Sequence, residues 1–214
     1  MEQYLAATKI IDCNHDSIQN LARELTCDCI DDKEKAIRLF NYVRDNCRYN
    51  AHSFNSGAES FLSSNILEKG EGWCMLKAIL LTSLCRAAGI PARFIIASIR
   101  NHKISPEIKE TFNIDAIFPH TYNNLFLNGR WVKAAPTFHR DMCDKIAVPI
   151  VEFNGENDAV LPQTDLQGEP FIEYLDNFGE FSDIPWEMIL EIGDKIYVGL
   201  EAWSNFKQIA SDFI

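Results

Sequence analysis

Apolar residues recur at helical spacing in the first part of the chain. The stretch 16–25, DSIQNLAREL, carries a capping aspartate and predicts a short helix. The stretch 31–47 begins with acidic residues, which favour a helix N-terminus, and one apolar stripe runs along it: Ala36, Leu39, Phe40 and Val43. The mixed polarity of 49–67 instead predicts a loop that contains a short helix near 58–62.

A third apolar pattern, over 74–88, has the clearest ends. Its apolar face consists of Leu76, Ile79, Leu80, Leu84 and Ala87. Gly89 suits the position just after a helix, and Pro91 cannot continue one. The sequence therefore predicts a helix from about Cys74 to Ala88.

The hydrophobic period changes after this helix. The run 92–99, ARFIIASI, is rich in β-branched residues and predicts a largely buried strand. The runs 121–127 and 130–134 flank the dipeptide Asn-Gly at 128–129, and Asn-Gly between two apolar runs predicts a hairpin. The residues between strand and hairpin are polar and irregular, with a short helix predicted over 106–111.

The chain from 148 onwards is acidic and rich in turn residues, which predicts an extension that wraps the core. Helices are expected over 185–191 and over 195–213. Its aromatic residues are interpreted as packing the extension onto the core, with lining of a substrate cleft as the alternative: Phe171, Tyr174, Phe178, Phe181 and Trp186. The predicted organisation is a core with N-terminal helices over 1–147 and this extension over 148–214, in one domain overall.

The charge balance narrows the possible partners. The 214 residues carry a formal net charge of −11, so the chain offers no basic footprint for nucleic acid or an anionic membrane. The N-terminus does not have the basic start and apolar centre of a signal peptide, and no uncharged apolar run approaches the roughly 18–20 residues of a membrane span. We therefore expect a cytoplasmic protein.

The seven cysteines are odd in number and scattered, which predicts free thiols rather than a disulfide framework. Cys27 and Cys29 could ligate a metal, but no second ligand pair follows them at a suitable spacing. We therefore expect neither a metal nor another cofactor.

Cys74 stands at the first turn of the predicted helix. The positive end of the helix dipole and the unpaired N–H groups there favour the thiolate, which is the nucleophilic form of cysteine. Gly72 is expected to let the backbone turn tightly and to leave room for a substrate above the sulfur, and Trp73 is expected to wall the cleft. The alternative is that Cys74 is a small buried apolar residue, which is the usual role of a cysteine.

A cysteine nucleophile needs a base, and His120 is the best placed of the five histidines. It is predicted at the start of the first hairpin strand, just after the irregular segment. A cysteine at a helix N-terminus together with a histidine on a strand is an arrangement of acyl-transfer enzymes. Considered alone, His120 would be interpreted as an ordinary strand-end residue.

These motifs together resemble a known family. The segments GWCMLKAILLTSLCRAAGIPARF and HTYNNLFLNGRWVKAAPTF resemble the transglutaminase-like superfamily, and the resemblance covers about residues 35–137 and points to a bacterial subgroup. The family pattern has Gly-x-Cys, an apolar helix, Arg-x-x-Gly-Ile-Pro-Ala-Arg and a histidine that opens a strand. The resemblance implies an α+β fold with a papain-like transglutaminase core, in which the nucleophile helix packs on an antiparallel sheet. It also implies Cys74 as nucleophile, His120 as general base, and a thioester that water or an amine resolves.

One position departs from the family pattern. The family has an aspartate in the sequence Trp-Val-x-x-Asp-Pro-Thr, and this chain has Ala135 there. An alanine can neither orient an imidazole nor stabilise its charged form. Asp141 and His139, just past the hairpin, are the preferred substitutes for the missing acid.

The strand that carries His120 offers further candidates. Asn123 and Asn124 could also hold the imidazole ring, because an amide does so in papain-like enzymes. Side chains alternate along a strand, so Tyr122 and Asn124 share the face of His120. Both are expected to lie near the substrate.

Two functions follow from these predictions. The first is a thiol-dependent hydrolase or acyltransferase that acts on the amide bonds of a peptide, a protein or a smaller amide. The second is a non-catalytic binding protein that keeps the transglutaminase-like fold, and the missing aspartate is what makes it a serious alternative.

Overall fold

The computed structural model describes residues 1–53, 57–104, 109 and 116–214. Its α-helices are α1 (Asp16–Thr26), α2 (Asp32–Asn46), α3 (Ser63–Lys69), α4 (Cys74–Ala87), α5 (Arg140–Ile146), α6 (Trp186–Ile196) and α7 (Glu201–Ala210). Its strands are β1 (Arg48–Tyr49), β2 (Glu71–Gly72), β3 (Ala92–Asn101), β4 (Ile117–Leu127), β5 (Arg130–Ala134) and β6 (Ile172–Phe181), and short 3-10 helices occur at Glu2–Tyr4, Ala58–Phe61 and Ser211–Phe213. Apart from Lys109, the helix predicted over 106–111 lies outside the described residues.

Helix α4 lies at the centre of the fold. All of its residues from Cys74 to Arg86 are buried, because α1, α2, α3 and β4 pack against it. The predicted apolar face is therefore only part of its buried surface. The helix ends as predicted, since Gly89 has a φ of 81° and the N–H of Ile90 donates to the carbonyl of Cys85 at 2.8 Å.

The N-terminal helices α1 and α2 occur where the sequence predicts them. The Asp31 carboxylate caps α2 by accepting from the N–H of Glu34 at 2.8 Å. The cap of α1 is not the predicted aspartate, Asp16, which is the first residue of the helix, but His15, whose Nδ1 accepts from the N–H of Ser17. Helix α3 was not predicted, because its short sequence of mixed polarity, SSNILEK, shows no clear helical stripe.

The main sheet has four antiparallel strands in the order β5-β4-β3-β6. The predicted hairpin is confirmed: Leu127 pairs with Arg130, and Asn128 and Gly129 have φ angles of 51° and 81°. The sequence predicted His120 at the start of this strand. Strand β4 begins at Ile117, so His120 lies inside it instead. The α+β fold, with the α4 helix packed on an antiparallel sheet, is confirmed.

Strand β6 corrects the prediction for the extension. Residues 172–181 do not merely wrap the core; they pair with β3, so that Glu180 lies opposite Ile95 and Glu173 opposite Arg100. Most residues of β6 are exposed or only partly buried, and its register with β3 shifts twice. An edge strand of this kind needs few apolar residues, which is why its acidic sequence did not indicate a strand.

The last part of the chain forms a helical layer. Helix α6 is longer than predicted, and α7 accounts for the helix expected over 195–213. Phe171 and Trp186 are buried and the other three aromatic residues of the extension pack against the same core, which supports the packing interpretation. None of the described helices has the length and apolar character needed to cross a membrane.

Candidate active site

Cys74 is the first residue of α4, directly after strand β2 and the extended residue Trp73. The thiol Sγ lies 3.9 Å from the carbonyl oxygen of Pro119. The side chain is only 5% exposed, and burial raises the pKa of the thiol to about 11. Backbone N–H groups of Thr121, Met75 and Cys74 act in the opposite direction but do not offset burial. The expected thiolate is therefore not the resting form; the thiol is protonated near pH 7.

The sulfur lies against the backbone on both sides of His120. Strand β5 ends at Ala134, which pairs with Asn123, so the earlier part of β4 has no β5 residue beside it. Cys74 lies along this part of β4, with Pro119 and Thr121 as its backbone neighbours. The two elements that carry the predicted nucleophile and base thus meet where the sheet is open.

The imidazole of His120 is buried among aromatic rings. It stacks on Tyr122 with ring centroids 5.5 Å apart and meets the edge of Tyr174 at 5.7 Å. Burial lowers the pKa of His120 to about 3, so the ring is neutral near pH 7. Within the described ranges its buried Nε2 atom has no hydrogen-bond partner, and no hydrogen bond joins His120 to Cys74.

Strand alternation separates the neighbours of His120. The Asn123 amide donates to the carbonyl of Ala78 and to Oγ1 of Thr82, both at 2.8 Å, so Asn123 faces α4 and is not free to hold the imidazole. His120 and Asn124 lie on the opposite face of β4. The Asn124 amide is itself engaged by Glu180, to which it donates at 2.8 Å.

Ala135 packs in the cluster that contains Tyr122, the residue on which the His120 ring stacks. It is fully buried, and the other buried members of this small apolar cluster are Ile95 and Ala97. A methyl group provides no hydrogen-bond acceptor, so Ala135 cannot serve as a partner for the buried Nε2 of His120.

The two preferred substitutes do not supply the missing acceptor. His139 uses its Nδ1 to accept from the N–H of Tyr49 at 3.1 Å, and it stands at the start of α5. Asp141 is exposed in the first turn of the same helix, whereas the Nε2 of His120 is buried. This prediction is corrected because the chain turns into α5 directly after Phe138, so that neither side chain hydrogen-bonds to His120 in the part of the chain that the structure describes.

Gly72 also has a different role from the predicted one. It belongs to β2, pairs with Tyr49, and does not adopt a left-handed backbone conformation. A Cβ atom at this position would lie 2.7 Å from Cβ of Leu76, which it would have to displace. A glycine is required here because the chain approaches the first turn of α4 closely, not because of a tight turn above the sulfur.

A cavity of about 260 Å³ opens beside Cys74. Among the described residues, its aromatic walls are Tyr49, Trp73, Phe118, Phe138, Tyr197, Trp203 and Phe206, with aliphatic side chains between them. Trp73 thus lines the cleft as expected, whereas His120, Tyr122 and Asn124 do not line the described wall. The cavity can hold an apolar group next to the thiol.

The C-terminal helical layer covers this cavity, which the sequence did not predict. Leu200, Trp203 and Phe206 line it from α7 and the residue before it. The hydroxyl of Tyr197 accepts from the N–H of Phe118 at 2.8 Å and donates to its carbonyl, which fixes the layer to β4. The aromatic spacing of Trp203 and Phe206 indicates one buried helix face, but no sequence signal says which surface that face covers.

No metal centre is built into the described part of the chain, where no three His, Cys, Asp or Glu side chains are grouped to hold an ion. The charged side chain on the described cavity wall is Lys103, and its ammonium lies 2.7 Å from the carboxylate of Asp165. The reactive group on the described cavity wall is the Cys74 thiol, with backbone N–H groups around its sulfur.

A buried helix that begins with a cysteine and packs on an antiparallel sheet defines a papain-like α+β protein. Residues 19–136, more than half of the chain, match the sequence model of the Transglutaminase-like superfamily. The chain belongs to this superfamily, as its motifs predicted. No curated protein matches the chain.

Two solved structures resemble the fold. A candidate cysteine protease from Cytophaga hutchinsonii is 18% identical with a TM-score of 0.50, over 83% of this chain and 52% of that one. A candidate protease from Parabacteroides distasonis is 15% identical with a TM-score of 0.40, over 56% of this chain and 23% of that one. The chain therefore spans about half the length of the first structure, and at such identities the likeness concerns the fold alone.

Proposed function

We propose that this protein is a thiol-dependent hydrolase or acyltransferase that acts on peptide or other amide bonds, with Cys74 as nucleophile and His120 as general base. The observation that carries the proposal is the position of Cys74. Cys74 is the first residue of the central helix and lines a cavity. Its sulfur lies beside backbone N–H groups that can also face a developing oxyanion. Membership of the transglutaminase-like superfamily supports the same chemistry.

The proposed reaction starts from a neutral pair. The substrate carbonyl enters the cavity. The His120 ring, which has no hydrogen bond to Cys74 in the resting structure, moves within reach of the sulfur and removes the thiol proton as Sγ of Cys74 forms a C–S bond to the carbonyl carbon. The imidazolium then gives this proton to the leaving amine as the C–N bond breaks, which leaves a thioester on Cys74. Water or a second amine attacks the thioester, so that the acid or a new amide is released and the thiol is restored.

The pKa values bear on the timing of proton transfer. Burial raises the pKa of Cys74 to about 11 and lowers that of His120 to about 3, which disfavours a preformed thiolate–imidazolium pair. The proton must therefore move as the sulfur attacks. Since Ala135 cannot stabilise the imidazolium, we expect slow turnover; loss of the orienting acid costs about 10⁴-fold in a triad enzyme.

The test is to trap the thioester. Wild-type protein is mixed with activated amides and esters of simple acyl groups, quenched in acid, and analysed by peptide mass spectrometry. We expect an acyl adduct on Cys74 that forms about 10²–10⁴-fold more slowly in His120→Ala, because the base is removed. Cys85→Ala is the matched control, since Cys85 is a buried thiol in the same helix that does not line the cavity. Adducts that do not depend on Cys74 would rule the proposal out.

A second candidate function is non-catalytic binding of an apolar ligand in the same cavity. The observation that favours it is the Nε2 of His120, which is buried with no partner among the described residues. In that case His120→Ala would leave both ligand affinity and the acylation rate of Cys74 unchanged.

A further inference from the structure

The cavity beside Cys74 differs from a site built for a polar peptide. Seven aromatic side chains line it in the described structure, and between them lie aliphatic residues such as Ile117 and Leu200. Sites of this kind bind apolar groups, and a few polar atoms fix the orientation of the ligand. We propose that the cavity binds the apolar acyl group of a neutral substrate, aromatic or branched, and places its carbonyl carbon at Sγ of Cys74; this inference rests on the proposed function.

The volume agrees with an acyl group of this size. The cavity measures about 260 Å³. An engineered apolar cavity of about 150 Å³ holds a benzene molecule, so the space here accommodates a phenyl ring with its linker to the carbonyl. A single methyl or carboxamide group would leave most of the aromatic wall without contacts.

The charged group of the described wall and the Asn101 side chain are already engaged, whereas the buried Nε1 of Trp73 has no hydrogen-bond partner among the described residues. Lys103 pairs with Asp165 at 2.7 Å, and the side chain of Asn101 accepts from the N–H of Lys103 at 2.9 Å. Asp165 in turn accepts from the N–H groups of Gln167 and Glu169. A charged acyl group would lose its hydration and find no unpaired charge on the described wall; one neutral donor, the indole N–H of Trp73, does not replace that hydration, which favours a neutral acyl group.

One lining residue has a side chain so small that part of the cavity beside it stays open for the acyl group. Ala202, on α7, has a small side chain on the cavity wall between larger neighbours. A phenyl ring at this position would fill part of the cavity. Asn205, on the same helix, is exposed and does not line the cavity, so it provides a matched control.

The experiment compares three alkylating reagents that share one reactive group: iodoacetamide, N-benzyl iodoacetamide and N-(4-carboxybenzyl) iodoacetamide. Each reagent replaces its iodide by the cysteine sulfur. Peptide mass spectrometry gives the labelling rate of Cys74 relative to that of Cys27, an exposed thiol in the same molecule that corrects for intrinsic reactivity. The proteins are the full-length wild type, Ala202→Phe and Asn205→Phe.

The proposal predicts that the benzyl reagent labels Cys74 at least tenfold faster than iodoacetamide after this correction, because each buried methylene-sized group is worth about fourfold. The carboxybenzyl reagent should lose this advantage. Ala202→Phe should abolish it and Asn205→Phe should retain it. Equal corrected rates for the benzyl and unsubstituted reagents in the wild type would overturn the proposal.

A second measurement tests binding in the cavity without any reaction of the thiol. It therefore gives a result even if Cys74 is unreactive, and it separates this inference from the proposed function. N-benzylacetamide, which cannot alkylate, is titrated into Cys74→Ala by calorimetry, with acetamide as the reference ligand. Binding of N-benzylacetamide that Ala202→Phe removes supports the cavity assignment even if no thioester forms, and then only the proposed function fails. Absence of binding overturns the assignment, even if thioesters of polar acyl groups are trapped on Cys74.

Discussion

At the scale of single residues, burial determines the charge of the Cys–His pair. The same loss of hydration raises the pKa of Cys74 and lowers that of His120, because it disfavours the charged form of each group. In an enzyme with a complete triad, an acid beside the histidine stabilises the imidazolium. Here Ala135 occupies the position of that acid in the superfamily pattern, so the neutral thiol and neutral imidazole persist over a wide range of pH.

Restoring the acid tests this account. Ala135→Asp puts a carboxylate at the position that the superfamily pattern gives to the orienting acid, where we expect it to raise the pKa of the His120 imidazole and to orient the ring. We expect the acylation rate of Cys74 to rise by about 10²–10⁴-fold. The rate is measured by trapping the thioester in single-turnover reactions.

Ala135→Asn is the control for this substitution, because it adds a side chain of the same size without a charge. A gain in Ala135→Asp that Ala135→Asn and the double variant Ala135→Asp/His120→Ala both lack would show that the carboxylate acts through the histidine. If Ala135→Asp folds but acylates no faster, the position is not that of an orienting acid.

The buried imidazole also predicts how stability depends on pH. The pKa of His120 is about 3 in the folded protein and about 6.5 when the chain unfolds, so the unfolded state takes up a proton first. Burial of the neutral His120 imidazole therefore costs no free energy of unfolding above about pH 6.5, and stability is lost progressively as the pH falls from there towards 3. Between pH 7 and pH 4 we expect wild type to lose on the order of 3 kcal/mol more unfolding free energy than His120→Phe.

Urea unfolding of the two proteins across this pH range measures the difference. The other titrating groups are common to both, so they cancel in the comparison. Parallel curves would mean that the imidazole takes up protons in the folded state as readily as in the unfolded one.

The sequence identifies the candidate site residues more directly than it describes their ionisation. Cys74, His120 and the gap at Ala135 follow from local motifs, which a single chain displays directly. The charge state of the thiol does not, because it depends on burial by residues far along the chain such as Tyr197. The substitutes Asp141 and His139 were misplaced because sequence distance does not reveal where the chain turns after β5.

At the scale of elements, α4 is tied to its neighbours by a buried cation. Lys77, one turn after Cys74, is fully buried, and its ammonium donates to the carbonyls of Arg44 and Cys47 at the end of α2. Burial lowers the pKa of Lys77 to about 8, so the group is mostly charged near pH 7. It satisfies carbonyl groups that the helix itself leaves unpaired.

Replacing this lysine should loosen the contact between α2 and α4. Lys77→Met keeps the length of the side chain but leaves buried carbonyls without a donor, so we expect a loss of about 2–4 kcal/mol of unfolding free energy. Lys35→Met is the control, since the ion pair of Lys35 with Asp32 lies at the surface and should contribute less than about 1 kcal/mol. Equal effects of the two variants in denaturant titrations would contradict a structural role for Lys77.

The elements differ in how far the sequence predicts them. Helix α4 and the β4–β5 hairpin have explicit end signals, Gly89 and Asn128-Gly129, and both are found where expected. Strand β6 has no such signal, because an edge strand that faces solvent can be as acidic as a loop. Its place in the sheet is determined by pairing with β3, a contact that single-sequence periodicity does not contain.

At the scale of the whole molecule, the C-terminal layer covers the cavity beside Cys74. Helices α6 and α7 pack closely, and α7 together with Tyr197 closes the cavity next to Cys74. Cys74 lies within residues 19–136, which match the superfamily, whereas the helical layer that covers the cavity lies beyond them in the sequence. A change in the contact between α6 and α7 should therefore alter the reactivity of a cysteine more than a hundred residues earlier.

Gly193→Ala tests this coupling. A Cβ atom at Gly193 would lie 2.0 Å from Cζ2 of Trp203, so the ring and α7 must shift. Trp203 also lines the cavity, and we expect the alkylation rate of Cys74 by iodoacetamide to rise about tenfold for each 1.4 kcal/mol of lost packing between the helices. Glu191→Ala, at an exposed position of α6, should leave the rate unchanged.

A double-variant cycle with Trp203→Leu isolates the contact. Once the indole is removed, alanine at position 193 meets less resistance, so the two substitutions should be non-additive in unfolding free energy by about 1–2 kcal/mol. Because alanine favours a helix interior over glycine, Gly193→Ala could even stabilise the protein in the Trp203→Leu background. If Gly193→Ala destabilises wild type while Cys74 remains as unreactive as before, the helical layer is structural only, and the thiol is shielded by the walls that β4 and the loop before α4 provide.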